Sequence, residues 1–204
     1  MRAINLKTEH LTDPIGIDIA NPYLSWTCED GITQTAYEIE AVEDGNLLWG
    51  SGKVSGSQMH AVLEKELQSR QRVSWRVRLW DEEGREGAWS APALFETGIM
   101  DKALFKAVWI NPELVCDPEV HKPASYLKKH FHAAKGAAAR LYITCHGLYE
   151  AYINGKRVGE FVLAPGCYNY DKKVAYQTYD VTDLIQDGEN VAEVILGDGW
   201  YRSV

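Results

Sequence analysis

Reactive side chains are plentiful in these 204 residues, and their spacing limits what chemistry they can do. Acids lead, with 29 Asp and Glu against 21 Lys and Arg. Hydrolysing a glycosidic bond with inversion takes an acid and a base about 6.5–9.5 Å apart around an oxocarbenium-like centre. Glu38, Glu40, Asp44, Asp81, Glu82, Glu83, Asp187 and Glu189 supply the group type, but they fall at turns or on the polar faces of strands. That placement reads as solvated surface. His130 and His132 are two apart, so on a strand they share a face and could approach one metal ion. No third ligand accompanies them, and a partly exposed strand pair is the simpler reading. Cys145 and His146 are neighbours in sequence, so on a strand they point to opposite faces and cannot act as a thiol and its base. The chain has no Gly-x-Ser-x-Gly elbow, phosphate loop or His-Glu-x-x-His helix.

Binding chemistry is better represented than catalysis. Seven tryptophans and eleven tyrosines are many for this length. The apolar face of a sugar ring stacks on an aromatic ring, while its hydroxyls need amide or carboxylate partners. Tyr168, Asn169, Tyr170 and Asp171 offer both types in one loop. Asp198, Trp200 and Tyr201 offer a second such set. These seven residues are the candidate carbohydrate site; no catalytic residue and no metal ligand is assigned. Against this stands packing: Trp26, Trp75 and Trp109 read as core, and Trp200-Tyr201 as a surface for a further domain.

The net charge of −8 weighs against nucleic acid, whose phosphates demand clustered Lys and Arg. The longest basic runs are Lys128-Lys129 and Lys172-Lys173. No apolar run approaches the ~18 residues of a membrane span, and Met1 to His10 lacks the apolar centre of a signal peptide. Cys28, Cys116, Cys145 and Cys167 are scattered, with no Cys-x-x-Cys pair. Free thiols in a reducing cytoplasm are the expectation.

The elements that carry these residues alternate with period two, not 3.6. Tyr37, Ile39 and Ala41 alternate with Glu38 and Glu40; Val73, Trp75, Val77 and Leu79 alternate with Ser74, Arg76 and Arg78. Leu141, Ile143 and Cys145 repeat the pattern. Residues 191–196 are apolar on both faces apart from Glu193, which predicts a central strand covered on both sides. Asp44-Gly45, Asp81 to Gly84, Asn154-Gly155 and Asp187-Gly188 mark turns, and Asn-Gly suits a tight hairpin because both positions need positive φ. Helix is scarce: a turn or two over Val62 to Ser69, and a short turn over Thr182 to Ile185 capped by Asp180 or Thr182. Lys135 to Ala139 reads as a loop.

The fold class is therefore all-β, two sandwiches in tandem. The first spans about residues 1–99 and closes at Phe95-Glu96-Thr97-Gly98; the second spans 107–204 and opens at Val108-Trp109-Ile110. Because the sequence stops just after an apolar strand and Trp200-Tyr201, the second sandwich is expected to be incomplete, with more chain downstream.

The second half resembles the N-terminal β-sandwich of the bacterial α-L-rhamnosidases. The resemblance rests on Gly147-Leu148-Tyr149-Glu150-Ala151-Tyr152-Ile153-Asn154-Gly155, Leu163-Ala164-Pro165-Gly166 and Tyr168-Asn169-Tyr170-Asp171. It continues through Tyr176 to Leu184 and Leu196-Gly197-Asp198-Gly199-Trp200-Tyr201. The first half resembles the fibronectin-type-III-like domain that precedes that module, through Trp49 to Val54, Ser69 to Arg72, Trp75 to Asp81, Trp89-Ser90 and Phe95 to Gly98.

The resemblance implies a non-catalytic segment that supports or positions a downstream (α/α)6 catalytic barrel, where carboxylic acids release terminal α-L-rhamnose with inversion. It also implies that some relatives bind rhamnose on the second sandwich with help from calcium, with Asn154 or Asp171 near such a site. One departure is Cys167, which stands where the family pattern has tryptophan, and it puts that aromatic contact in doubt. The rival readings are a self-standing binding module for rhamnose-type sugars and a protein-interaction pair of sandwiches. An interaction pair predicts an exposed apolar patch on the first domain.

Overall fold

A computed structural model of the chain describes residues 1–112 and 123–202. It divides into two compact units, Met1–Lys106 and Ala107–Val204. Among the described residues the only helical elements are two single 3₁₀ turns, Lys102–Leu104 and Thr182–Leu184. Both units are all-β.

The first unit holds β1 (Arg2–Thr8), β2 (Ile15–Ile17), β3 (Tyr23–Glu29), β4 (Ala36–Glu43), β5 (Asn46–Gly50), β6 (Val54–Ser55), β7 (His60–Val62), β8 (Arg72–Trp80) and β9 (Ala93–Thr97). Among the described residues these form two sheets: β1-β3-β7, and β2-β9-β8-β4-β5 with β6 beside β4. The alternation decides what meets between them. Val73, Trp75, Val77 and Leu79 of β8 join Tyr37, Ile39 and Ala41 of β4 and Leu24 and Trp26 of β3 in one core. Trp75 donates its indole N–H to Thr8 Oγ1 at 3.1 Å, tying the two sheets together through a pair that is almost wholly buried. Outside, the antiparallel register sets Glu38 opposite Arg78 and Glu40 opposite Arg76. Both pairs close as ion pairs, at 2.6 and 2.7 Å, and Trp89 lies over both guanidinium groups at 4.7 and 4.5 Å. β1 carries a register shift between Ile4 and Lys7, with Asn5 at φ 52°.

One expectation fails in this unit. Val62 to Ser69 is not helical. Leu63 and Leu67 are both buried, four apart as on a helix face, but their amides donate to Pro22 and Ala20 carbonyls of a neighbouring segment. Those bonds replace the i→i−4 ladder. The connector after Gly98 packs with the first unit: Met100 touches the core, Asp101 N–H donates to Ser69 Oγ, and Arg70 reaches the Leu104 carbonyl.

The second unit holds β10 (Ser125–Ala133), β11 (Arg140–Ile143), β12 (Leu148–Ile153), β13 (Lys156–Arg157), β14 (Gln177–Asp180) and β15 (Gly188–Gly197). Among the described residues they form the sheet β10-β15-β12-β13 and the pair β11-β14. Tyr149, Ala151, Ile153, Val194 and Leu196 from the larger sheet meet Leu141, Ile143 and Tyr179 from the smaller. β15 is central, as expected, but only one of its faces is core. Val191, Glu193 and Ile195 stand half-buried on the other face, where Glu193 accepts from Tyr126 and pairs with Lys128. Asn154 and Gly155 take φ of 52° and 74° in the turn between β12 and β13. Val108, Trp109 and Ile110 correct another expectation: they are exposed, Trp109 at 64 %, and not core. They lie ahead of β10 in chain that forms no strand among the described residues. Cys116, Ser203 and Val204 lie outside the described residues.

Candidate functional site

The two candidate loops converge at one end of the second sandwich. Gly147 and Gly199 create the meeting point. A Cβ on Gly147 (φ 102°) would stand 2.2 Å from the Gly197 carbonyl oxygen, and one on Gly199 would stand 2.6 Å from Leu148 Cγ. Only glycine permits this approach. It lays residues 146–148 against 197–199, where the Tyr201 amide closes a turn onto the Asp198 carbonyl at 3.1 Å.

His146 is thereby placed among rings from three segments. Its ring centroid lies 4.4 Å from Trp109, 4.6 Å from Tyr201 and 5.5 Å from Tyr170, and Tyr170 meets Tyr201 edge-on at 5.1 Å. Of the seven residues expected at a sugar site, Tyr170 and Tyr201 are in contact in this cluster. Tyr168 packs its ring near Gly166 instead, since a Cβ there would lie 3.2 Å from Tyr168 Cε2. Asn169 and Asp171 are exposed, and the Asn169 carbonyl accepts from the amides of Lys172 and Lys173. Asp198 is half-buried, and Trp200 is 50 % exposed beside Tyr201. Among the described residues neither Tyr168 nor Trp200 has a ring in contact with the cluster. Sequence reasoning missed His146 and misplaced Trp109. The available signal was Gly147 directly after His146, in a chain with a second glycine-bracketed turn at Gly197-Asp198-Gly199.

Burial raises the Tyr170 phenol above its ordinary value, as do the nearby thiols of Cys167 and Cys145, so it stays an O–H donor near neutral pH. Its hydroxyl reaches the Gly166 carbonyl at 3.4 Å. Beneath the cluster, Tyr149 donates to Gln177 Oε1 at 2.9 Å and lies 3.2 Å from the Tyr179 hydroxyl, so this end of the core is closed by a polar network. Burial pushes the Cys145 thiol up to about 12, which removes it as a nucleophile.

The other candidates for chemistry are occupied by the fold. His130 Nδ1 lies 3.0 Å from Glu189 Oε1 on the exposed face of β10. Among the described residues no three His, Cys, Asp or Glu side chains converge as for a metal ion. Asn154, expected near a calcium site, spends its side chain internally. Its Nδ2 donates to the Leu184 carbonyl and to Asn190 Oδ1, and its Oδ1 accepts from the Val191 amide. Two acids of the first unit are likewise engaged: Asp81 with Arg85 and two backbone amides, and Glu82 with the amides of Ile32 and Thr33.

Comparison with known proteins places this geometry. A family model described as "Rha78A-like, N-terminal immunoglobulin domain" matches residues 3–101, and one described as "Alpha-L-rhamnosidase N-terminal domain" matches residues 134–204. An α-L-rhamnosidase of Formosa agariphila is 37 % identical over 95 % of this chain, which covers 23 % of that protein. The structure of an α-L-rhamnosidase from Dictyoglumus thermophilum superposes with a TM-score of 0.87 at 37 % identity, over 98 % of this chain and 25 % of that one. The α-L-rhamnosidase from Aspergillus terreus superposes with a TM-score of 0.88 at 32 % identity, over 98 % of this chain and 24 % of that one. The chain spans about a quarter of the length of these relatives. With an immunoglobulin-type sandwich followed by a rhamnosidase N-terminal sandwich, it belongs to the N-terminal region of the α-L-rhamnosidases.

Proposed function

We propose that this chain is the non-catalytic N-terminal part of an α-L-rhamnosidase, supporting and positioning a catalytic domain carried by the rest of the polypeptide. The observation that carries this reading is the employment of six of the eight acids singled out by the sequence. Glu38, Glu40, Asp81, Glu82, Asp187 and Glu189 are each engaged by a cation, an imidazole or backbone amides that hold turns and strand pairs. An inverting acid and base must instead face a shared gap wide enough for sugar and water. The purified chain, given an aryl α-L-rhamnoside, is expected to release no aglycone above the uncatalysed rate. Turnover at an enzymatic rate would overturn the reading. The unpaired thiols of Cys28, Cys145 and Cys167 are compatible with a reducing, cytoplasmic setting.

A second reading is favoured by the convergence of Tyr170 and Tyr201: the second sandwich binds rhamnose-type sugars at its aromatic end. Exposed rings accept the apolar face and methyl group of a 6-deoxyhexose. Asp171, exposed beside Tyr170, offers a carboxylate to sugar hydroxyls or to a calcium ion. Calorimetry with L-rhamnose, with and without calcium, tests this. Heat that saturates at millimolar sugar supports it, and a flat titration removes it.

A further inference from the structure

We infer that His146 is the positioning residue of the aromatic wall, the group that makes one binding surface out of three separate segments. The inference deepens the sugar-binding reading and rests on it for its function. Trp109 comes from the irregular chain ahead of β10, Tyr170 from the long loop between β13 and β14, and Tyr201 from the turn after β15. Tyr170 and Tyr201 touch each other, but among the described ring contacts Trp109 joins them only through His146. The outer rings are open to solvent, Trp109 at 64 % and Tyr201 at 53 %, while His146 between them is half-buried. That is the order expected of a wall with a structural centre and a contacting surface.

The backbone explains why His146 can hold this place. Gly147 and Gly199 bring the two chain segments to a separation that no Cβ would allow. His146 is therefore set by main-chain packing, whereas Trp109 sits on a segment without strand partners. A stacking ring that is already oriented loses less freedom when a ligand arrives. His146 confers that orientation on Trp109 and Tyr201, so the surface is ready for a flat, largely apolar ligand face. The imidazole can be replaced in this role by another flat ring, and not by a flexible polar chain.

The test uses this chain with His146→Phe and His146→Gln, read by L-rhamnose calorimetry, near-ultraviolet circular dichroism and acrylamide quenching of tryptophan fluorescence. The glutamine variant is expected to bind rhamnose about tenfold more weakly, with altered aromatic dichroism and an unchanged far-ultraviolet spectrum. The phenylalanine variant is expected to restore both affinity and dichroism. Glutamine binding as tightly as the unaltered chain, or phenylalanine failing to rescue, overturns the inference. If the unaltered chain binds no rhamnose, the sugar reading falls by itself. The positioning role is then judged on the aromatic signals alone. A change with glutamine that phenylalanine reverses supports it, and an unchanged spectrum with glutamine overturns it.

Discussion

The side-chain amide of Asn154 donates to Asn190 Oδ1 at 2.8 Å, joining the tip of the β12–β13 hairpin to the start of β15. Asn190 is wholly buried; its oxygen also accepts from the Gln186 amide, and its nitrogen donates to the Gln186 and Gly188 carbonyls. Removing it strands several buried polar groups at once, each costing about 1–3 kcal/mol. Asn190→Ala is expected to lower the stability of the second unit by about 3 kcal/mol, measured by urea unfolding. A loss below about 1 kcal/mol would show that water replaces the amide.

In the first unit the corresponding bond is Trp75 to Thr8. Thr8→Val keeps the shape and removes the acceptor, leaving a buried indole N–H without its partner. The expected loss is about 1–3 kcal/mol, seen as a lower melting temperature with the sheet spectrum intact.

Thiol reactivity separates Cys145 from Cys167. Cys145 is buried with its ionisation pushed up to about 12, while Cys167 is exposed. A maleimide at pH 7.5 is expected to modify Cys167 promptly and Cys145 only after unfolding, read by peptide mass mapping. Equal labelling of both in the native chain would contradict the packing at this end of the sandwich.

Acid should loosen the first unit at a particular turn. Arg85 donates to Asp81 Oδ2 at 2.8 Å, and the amides of Glu83 and Arg85 donate to Oδ1, holding this carboxyl below its ordinary 3.8. A carboxyl depressed in the folded state stabilises it above the unfolded value and ceases to do so as pH falls through the folded one. Asp81→Asn is therefore expected to be less stable than the unaltered chain at neutral pH, with the gap closing below about pH 3.8 in thermal melts. A gap that widens in acid would reverse the sign and exclude this role.

The alternating strands were legible because period two is imposed by the pleat itself, whatever the tertiary setting. β4, β8 and the Asn154-Gly155 turn fall where their residues predict. Val62 to Ser69 was misread because Leu63 and Leu67 are spaced for a helix, while the donors that decide the matter bond to Pro22 and Ala20, some 40 residues earlier in the chain. Trp109 was misread because an apolar triplet looks like core until one sees that no strand carries it. The candidate site was half legible. Tyr170 and Tyr201 announce themselves by composition, but the ring that joins them, His146, depends on two glycines about 50 residues apart meeting back to back.

The kink in β1 has a further consequence. β1 lies at the border of its sheet, where a straight run of free N–H and C=O groups would invite a strand from another molecule. The shift between Ile4 and Lys7, with Asn5 turned to positive φ, breaks that run after a few residues, and Lys7 adds a charge beside it. Fibril-like stacking of copies along this border is thereby denied a long template.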